Sequence, residues 1–260
     1  MGILDFFRRA PPATLPDSLW EATLGSLPFL AALTEEEKTR LRELVAAFLA
    51  EKEFSAAGGL ELDDSLFLAI AAQACLPILE LGLGAYRGWV GIVVYPDEFV
   101  IPRVIQDEDG VVHEYDEAAS GEAWGGGPVI VSWKDAQMAG DGYNVVIHEF
   151  AHKLDMANGE ADGVPPLPRD IPRRRWEEVL TAAYEDFCRR VDADEETWID
   201  PYGAEHPSEF FAVVSEAFFE IPDVVADESP EFYHLLPRFY RQDPLTRLDR
   251  MIAAAGGEPS

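Results

Sequence analysis

Val145-Val146-Ile147-His148-Glu149-Phe150-Ala151-His152-Lys153-Leu154 sets two histidines four residues apart, with a glutamate directly after the first, inside an apolar run suited to a helix. On an α-helix a four-residue step turns about 40° past a full turn and rises about 6 Å, so both imidazoles leave one face and can close on one ion. Glu149 sits roughly 100° round, beside such an ion and not on it. There it can take a proton from a zinc-bound water while the ion polarises a carbonyl. With five histidines in the chain, a chance HExxH arises in roughly one chain in a hundred of this composition. The accidental version is a helix whose two histidines hydrogen-bond in the core and bind nothing. The core-type flanks count against it, because burying three ionisable groups without partners is costly.

A catalytic zinc site takes three protein ligands and keeps one position open. Asp155 follows His152 by three residues and lies on the same face. Three ligands along one straight helix would span about 10 Å, however, and a short aspartate cannot fold that line into a tetrahedron. Asp155 therefore reads either as a carboxylate supporting a ligand from behind or as a plain surface or loop-anchoring group. The run His206-Pro207-Ser208-Glu209-Phe210-Phe211-Ala212-Val213-Val214-Ser215-Glu216-Ala217-Phe218-Phe219-Glu220 is a better source. Apolar residues nearly surround it, so a helix here is buried, with Glu209 and Glu216 on one stripe. Buried carboxylates need a cation or a donor. Glu209 as third ligand and Glu216 as acceptor for a ligand histidine's free N–H satisfies both; a helix N-terminal position suits Glu209 as well. Tyr202, in Asp200-Pro201-Tyr202-Gly203, lies in a loop returning toward this helix, where a phenol either donates to a developing oxyanion or simply packs. His113, His206 and His234 each lack a partner at ligand spacing.

The 260 residues are 48% hydrophobic, with 15 Phe and 6 Trp, enough for a sizeable core. Cys75 and Cys188 lie far apart in apolar, helical-looking stretches, which fits free thiols in a reducing compartment better than a disulfide framework. The opening MGILDFFRRAPPATLP lacks a signal-peptide core, so the expectation is a cytoplasmic protein. The longest apolar stretch, 66–79, is too short to span a bilayer and reads as a buried helix. A formal charge of −29, from 49 acidic and 20 basic residues, repels phosphate backbones and anionic membranes, so neither direct nucleic-acid nor membrane binding is expected. Arg169, Arg173, Arg174 and Arg175 read as the solvated start of a helix.

Thr34-Glu35-Glu36-Glu37 is a capping box and predicts an amphipathic helix from 35 to about 51. A buried helix is expected near 64–80, then a strand at 89–95 stopped by Pro96, a weaker strand at 110–116 and a short strong one at 129–133. The metal helix is placed at about 143–156, ended by Asn158-Gly159. Further helices are expected at 173–191, from Pro207 to about 220, near 230–240 and at 244–254. The fold class is α+β: a small central mixed sheet, a metal-bearing helix, and helical N- and C-terminal parts. The expected division is a helical part over 1–85 packed on a catalytic domain over 86–260.

With these residues in view, the chain resembles the Mlc titration factor A family of bacterial zinc metallopeptidases, whose catalytic domain is similar to that of anthrax lethal factor. The likeness runs through Pro77-Ile78-Leu79-Glu80-Leu81-Gly82-Leu83, Gly127-Pro128-Val129-Ile130 with Trp133, the metal helix with Asp155 and Asn158-Gly159, then Tyr202, Glu209 to Glu216, and Gln242-Asp243-Pro244-Leu245. The resemblance implies a zincin-like, cytoplasmic gluzincin with one Zn2+ held by His148, His152 and Glu209, Glu149 as general base and Tyr202 as oxyanion donor. It implies aminopeptidase-like hydrolysis of small peptides, and binding of an Mlc-type repressor of sugar-uptake genes. By likeness to zincins, the strand at 129–133 should be the sheet edge along which a peptide pairs; the plainer alternative is an ordinary interior strand. Two other readings of the chain are a non-catalytic binder of a transcription factor with a structural or latent metal site, and an enzyme whose cleft is covered by the loop at 161–172 or by the C-terminal residues.

Overall fold

The computed structural model describes residues 7–8, 15–106 and 112–256, without side chains at 7–8, 102–115, 117 and 255–256. Its strands are Phe7–Arg8 (β1), Glu53–Ala56 (β2), Gly91–Tyr95 (β3), Phe99–Gln106 (β4), Val112–Ala119 (β5), Gly121–Ala123 (β6) and Val129–Ser132 (β7). The helices are Asp17–Ser26 (α1), Glu35–Glu51 (α2), Asp64–Cys75 (α3), Trp133–Ala136 (α4), Val145–Asp155 (α5), Arg173–Asp192 (α6), Pro207–Glu220 (α7), Pro222–Glu228 (α8), Pro230–Tyr233 (α9), Leu236–Tyr240 (α10) and Pro244–Gly256 (α11). The class is α+β around a small mixed sheet.

Strand order in that sheet is β1-β2-β3-β7-β6. β2, β3 and β7 run parallel, with Phe54 opposite Ile92 and Ile92 opposite Val129, while β1 and β6 close the two sides antiparallel. Ile92, Val94, Val129 and Val131 alternate onto a buried face, as the two-residue period of a strand requires. β4 and β5 form a separate antiparallel hairpin. β7 is thus an interior strand, and the expectation that it forms the open edge is corrected. The edge beside α5 belongs to β6, whose three residues are too few to announce themselves by alternation.

Local rules place several helices well. The Thr34 capping box forms as expected, with the Thr34 hydroxyl accepting from Glu37 N and the Glu37 carboxylate accepting from Thr34 N. The expected helix at 64–80 stops at Cys75 instead. Pro77 has no N–H to give and its ring crowds the preceding turn, so Ile78 and Gly82 close turns onto Cys75 and Ile78 carbonyls. Trp133 belongs to α4 rather than to the strand, because the Ser132 hydroxyl caps a helical turn by accepting from Asp135 N. The expected helix at 230–240 divides into α9 and α10.

One buried apolar cluster runs from Trp20 to Tyr240. The sheet and this cluster draw on both sides of residue 85: Phe150 of α5 meets Phe48 of α2, Tyr86 and Trp89 at ring-centroid distances of 5.8, 5.1 and 5.6 Å. On the other flank Trp176 of α6 packs edge-on against Phe211, Phe232 and Phe239. The C-terminal segment is tied back to the N-terminal helices through Gln242, whose amide donates to Leu76 O, and through Arg247, which meets Glu37. Among the described residues, no helix is long and apolar enough to cross a membrane.

Candidate metal centre

α5 lies with one face in the core and the other toward α7, and the joint between the two helices is built from α7's carboxylates. Asn144 caps α5, its side-chain oxygen accepting from Ile147 N at 2.9 Å. Its amide nitrogen donates to Glu220 Oε1 at 2.8 Å, while Glu220 Oε2 accepts from Gly140 N and Gly142 N at 3.0 and 2.9 Å. Glu216, only 3% exposed, bridges the backbone N–H of Asn144 and the Nδ1 of His148, the latter at 2.8 Å. These bonds fix the register of α5 against α7.

Once that register is set, three ligand atoms converge. His148 Nε2 lies 3.1 Å and His152 Nε2 3.0 Å from Glu209 Oε2, and the two Nε2 atoms are 3.2 Å apart. Among the described residues these three form the one cluster suited to a metal ion. The fit to a cation is chemical as well as spatial. With Nδ1–H of His148 directed at the Glu216 carboxylate, a neutral His148 presents a lone pair at Nε2. That lone pair faces a carboxylate oxygen and a second imidazole nitrogen, so a positive charge is needed between them. Ligand separations of about 3.3 Å are what tetrahedral bonds of about 2.0 Å demand, close to those seen.

The protonation pattern points the same way. Burial disfavours the His148 cation, yet hydrogen bonds to Glu209 and Glu216 hold its affinity for a proton well above the ordinary range. Burial would raise the Glu209 carboxyl, but the His148 and His152 bonds hold it far below the usual value.

Glu149 stands beside the cluster, 4% exposed. Its Oε2 is buried without a hydrogen-bond partner, and burial pushes its carboxyl up to about 8, with His148 pulling down and Glu209 and Glu216 pushing up. Gly121 of β6 lies so close that a Cβ there would come within 2.3 Å of Glu149 Oε1; no larger residue fits without moving the carboxylate. Tyr202, on the turn Pro201–Ala204 anchored by Asp200 Oδ1 accepting from its N–H, is 41% exposed, and its ring centroid is 6.1 Å from that of His148. A cleft of about 260 Å3 gathers Ser120, Gly121, Tyr143, His148, Glu149 and Tyr202 along its walls. Among the described residues, neither the loop at 161–172 nor any residue after 245 lines it.

Of the sequence candidates, the structure brings His148, His152, Glu209, Glu149, Glu216 and Tyr202 together. Asp155 is fully buried and has the loop-anchoring role: its Oδ2 accepts from Gly163 N at 2.8 Å. His206 caps α7 by accepting from Ser208 N, His234 is exposed at the end of α9, and the His113 side chain lies outside the described residues. Asn144, Glu220, Gly121 and Tyr143 escaped sequence reasoning. An asparagine three residues before Ile147, at the head of an apolar run, is an N-cap signal; the other three have no local signature.

The sequence model of the glucose-regulated metallo-peptidase M90 family matches residues 7–241. The chain is 40% identical over 245 residues to Mlc titration factor A of Serratia proteamaculans, covering 92% of each chain. It is 42% identical over 238 residues to Mlc titration factor A of Salmonella arizonae, covering 89% of this chain and 94% of that one. An uncharacterised protein of Synechocystis is 38% identical over 232 residues, 87% of this chain and 84% of its own.

Proposed function

This chain belongs to the glucose-regulated metallo-peptidase M90 family, and from that premise we propose that it is a zinc-dependent, aminopeptidase-like peptidase with zincin-like architecture. One Zn2+ per chain is held by His148, His152 and Glu209. When bound, the ion supplies the Lewis acidity that polarises a peptide carbonyl and acidifies water. The protein's own groups do the rest. Glu216 holds His148 by its Nδ1–H so that Nε2 faces the metal position. Glu149 takes the proton from the attacking water and passes it to the departing amine, a task suited to a carboxyl whose burial brings its proton affinity toward neutrality. The Tyr202 hydroxyl donates to the oxygen that gains charge at the carbonyl. β6, as the edge strand above Glu149, offers backbone groups to an extended peptide.

The observation that carries this reading is the meeting of two imidazole nitrogens and a carboxylate oxygen within 3.2 Å of one another beside a buried glutamate whose Oε2 has no hydrogen-bond partner. Zinc content and hydrolysis of aminoacyl p-nitroanilides by the wild type and Glu149→Gln test it. The variant should keep its zinc and lose turnover by 100-fold or more, roughly the worth of a general base. Undiminished turnover would remove Glu149 from the mechanism.

A second role has its own support in the name of the relatives, Mlc titration factor A. We infer that this chain also binds an Mlc-type repressor in the cytoplasm and so influences sugar-uptake genes. Binding should survive Glu149→Gln in a pull-down with the purified repressor; a complex that forms only with the catalytically intact protein would contradict a titration role.

A further inference from the structure

We propose that the cavity behind the metal-bearing helix is a binding site for a small organic anion, a carboxylate carried on an apolar body. The cavity holds about 540 Å3, some twice the volume of the metal cleft, within the range of small-molecule sites. Leu81, Leu154, Leu167 and Phe239 contribute apolar wall, and Arg87 and Arg241 are the charged residues that line it. No carboxylate does.

In a chain with 49 acidic and 20 basic residues, most arginines whose side chains are described hold a carboxylate. Arg40, Arg42, Arg173, Arg190 and Arg238 each face one at 3.2 Å or less. Arg87 and Arg241, both exposed at the rim, form no ion pair among the described residues, as Arg169 and Arg250 elsewhere do not, and they are the two that meet at one cavity. Arg87 spends its Nε on Gly84 O at 2.8 Å and leaves the rest of its guanidinium undirected. Arg241 follows α10 with φ 55 and ψ 29, the left-handed region where a glycine or asparagine would be at less strain.

A guanidinium matches a carboxylate in a two-pronged hydrogen bond, and two unpaired ones beside a leucine and phenylalanine wall suit an anion with a hydrocarbon body. Leu154 lies about 200° round α5 from His152, so the ligand would rest on the back of the helix that carries both histidines. The site needs no metal and does not depend on peptidase activity.

Calorimetry on the full chain with 3-phenylpropionate, its neutral amide and inorganic phosphate tests the proposal. We expect saturable binding of 3-phenylpropionate, none of the amide, and phosphate weaker by at least tenfold. Arg241→Gly removes the guanidinium at a backbone position that glycine adopts freely, so thermal melting should stay level or rise while affinity for 3-phenylpropionate falls at least tenfold; Arg87→Gln should produce a similar loss. Absence of saturable binding up to about 10 mM, equal binding of the amide, phosphate binding as tight as 3-phenylpropionate, or unchanged affinity in both arginine variants would each overturn it.

Discussion

The two ends of α7 carry carboxylates in opposite situations. At its C-terminal end, Glu216 and Glu220 accept from the backbone N–H groups of Gly140, Gly142 and Asn144, the Asn144 amide and the His148 ring. Every one of those contacts pairs an acceptor with a donor. At its N-terminal end, Glu209 meets two imidazole nitrogens, at least one of them turned to present a lone pair. The first end is complete within the protein and sets where α5 lies; in the function proposed above, the second is completed from outside by a cation. One helix thus supplies both the joint and the ligand, seven residues apart, and the stiffness of the joint gives the ligand its aim.

The sharpest way to test the contrast is to remove each end in turn. Glu216→Leu leaves the Asn144 N–H and the His148 Nδ1–H without acceptors in a dry site. Urea unfolding should show a loss of about 3–5 kcal/mol, the cost of breaking a buried hydrogen-bonded charge network, and any zinc affinity that survives should be weaker by 10-fold to 100-fold. Glu209→Leu should leave no measurable zinc uptake, yet destabilise the metal-free protein less than Glu216→Leu does, since Glu209 is more exposed and holds no backbone donor. Equal destabilisation by the two substitutions would erase the distinction between joint and ligand.

A smaller effect concerns Asp155, on the rear of the same region. Burial pushes its carboxyl up to about 7, against the pull of the Gly163 N–H. Because the folded value lies above the unfolded one, the native state prefers the protonated acid; its contribution to stability is fully present below about pH 4 and is lost as pH rises through about 7. Asp155→Asn, neutral throughout, should therefore gain on the wild type between pH 5 and pH 8 by about 1–2 kcal/mol in chemical denaturation. A difference that stays flat across that range would mean that the acid is ionised in both states.

How much of this was legible beforehand follows the range of the forces involved. The bounds of α2 and the start of α7 come from the Thr34 capping box and from Pro207 at a first helical position, signals contained in one turn. His148, Glu149 and His152 are local in the same sense, and the burial of α7 was enough to nominate Glu209 and Glu216. β2 and β6 were not legible, because four- and three-residue strands are specified by partners far along the chain, Gly91–Tyr95 for one and Val129–Ser132 for the other. The same holds for Glu220, whose acceptors' partners lie near residue 140, and for Arg87 and Arg241, which share a wall across more than half the sequence. Pro77 was visible as a breaker, but where it would stop α3 depended on the turn that follows it.

The most direct test of the central claim is anomalous diffraction at the zinc edge from crystals of the zinc-loaded protein. The account predicts one strong peak per chain, about 2.0–2.2 Å from His148 Nε2, His152 Nε2 and a Glu209 oxygen, with Glu216 still on His148 Nδ1. A zinc peak that excludes Glu209, or no peak between the two histidines at full loading, would contradict it.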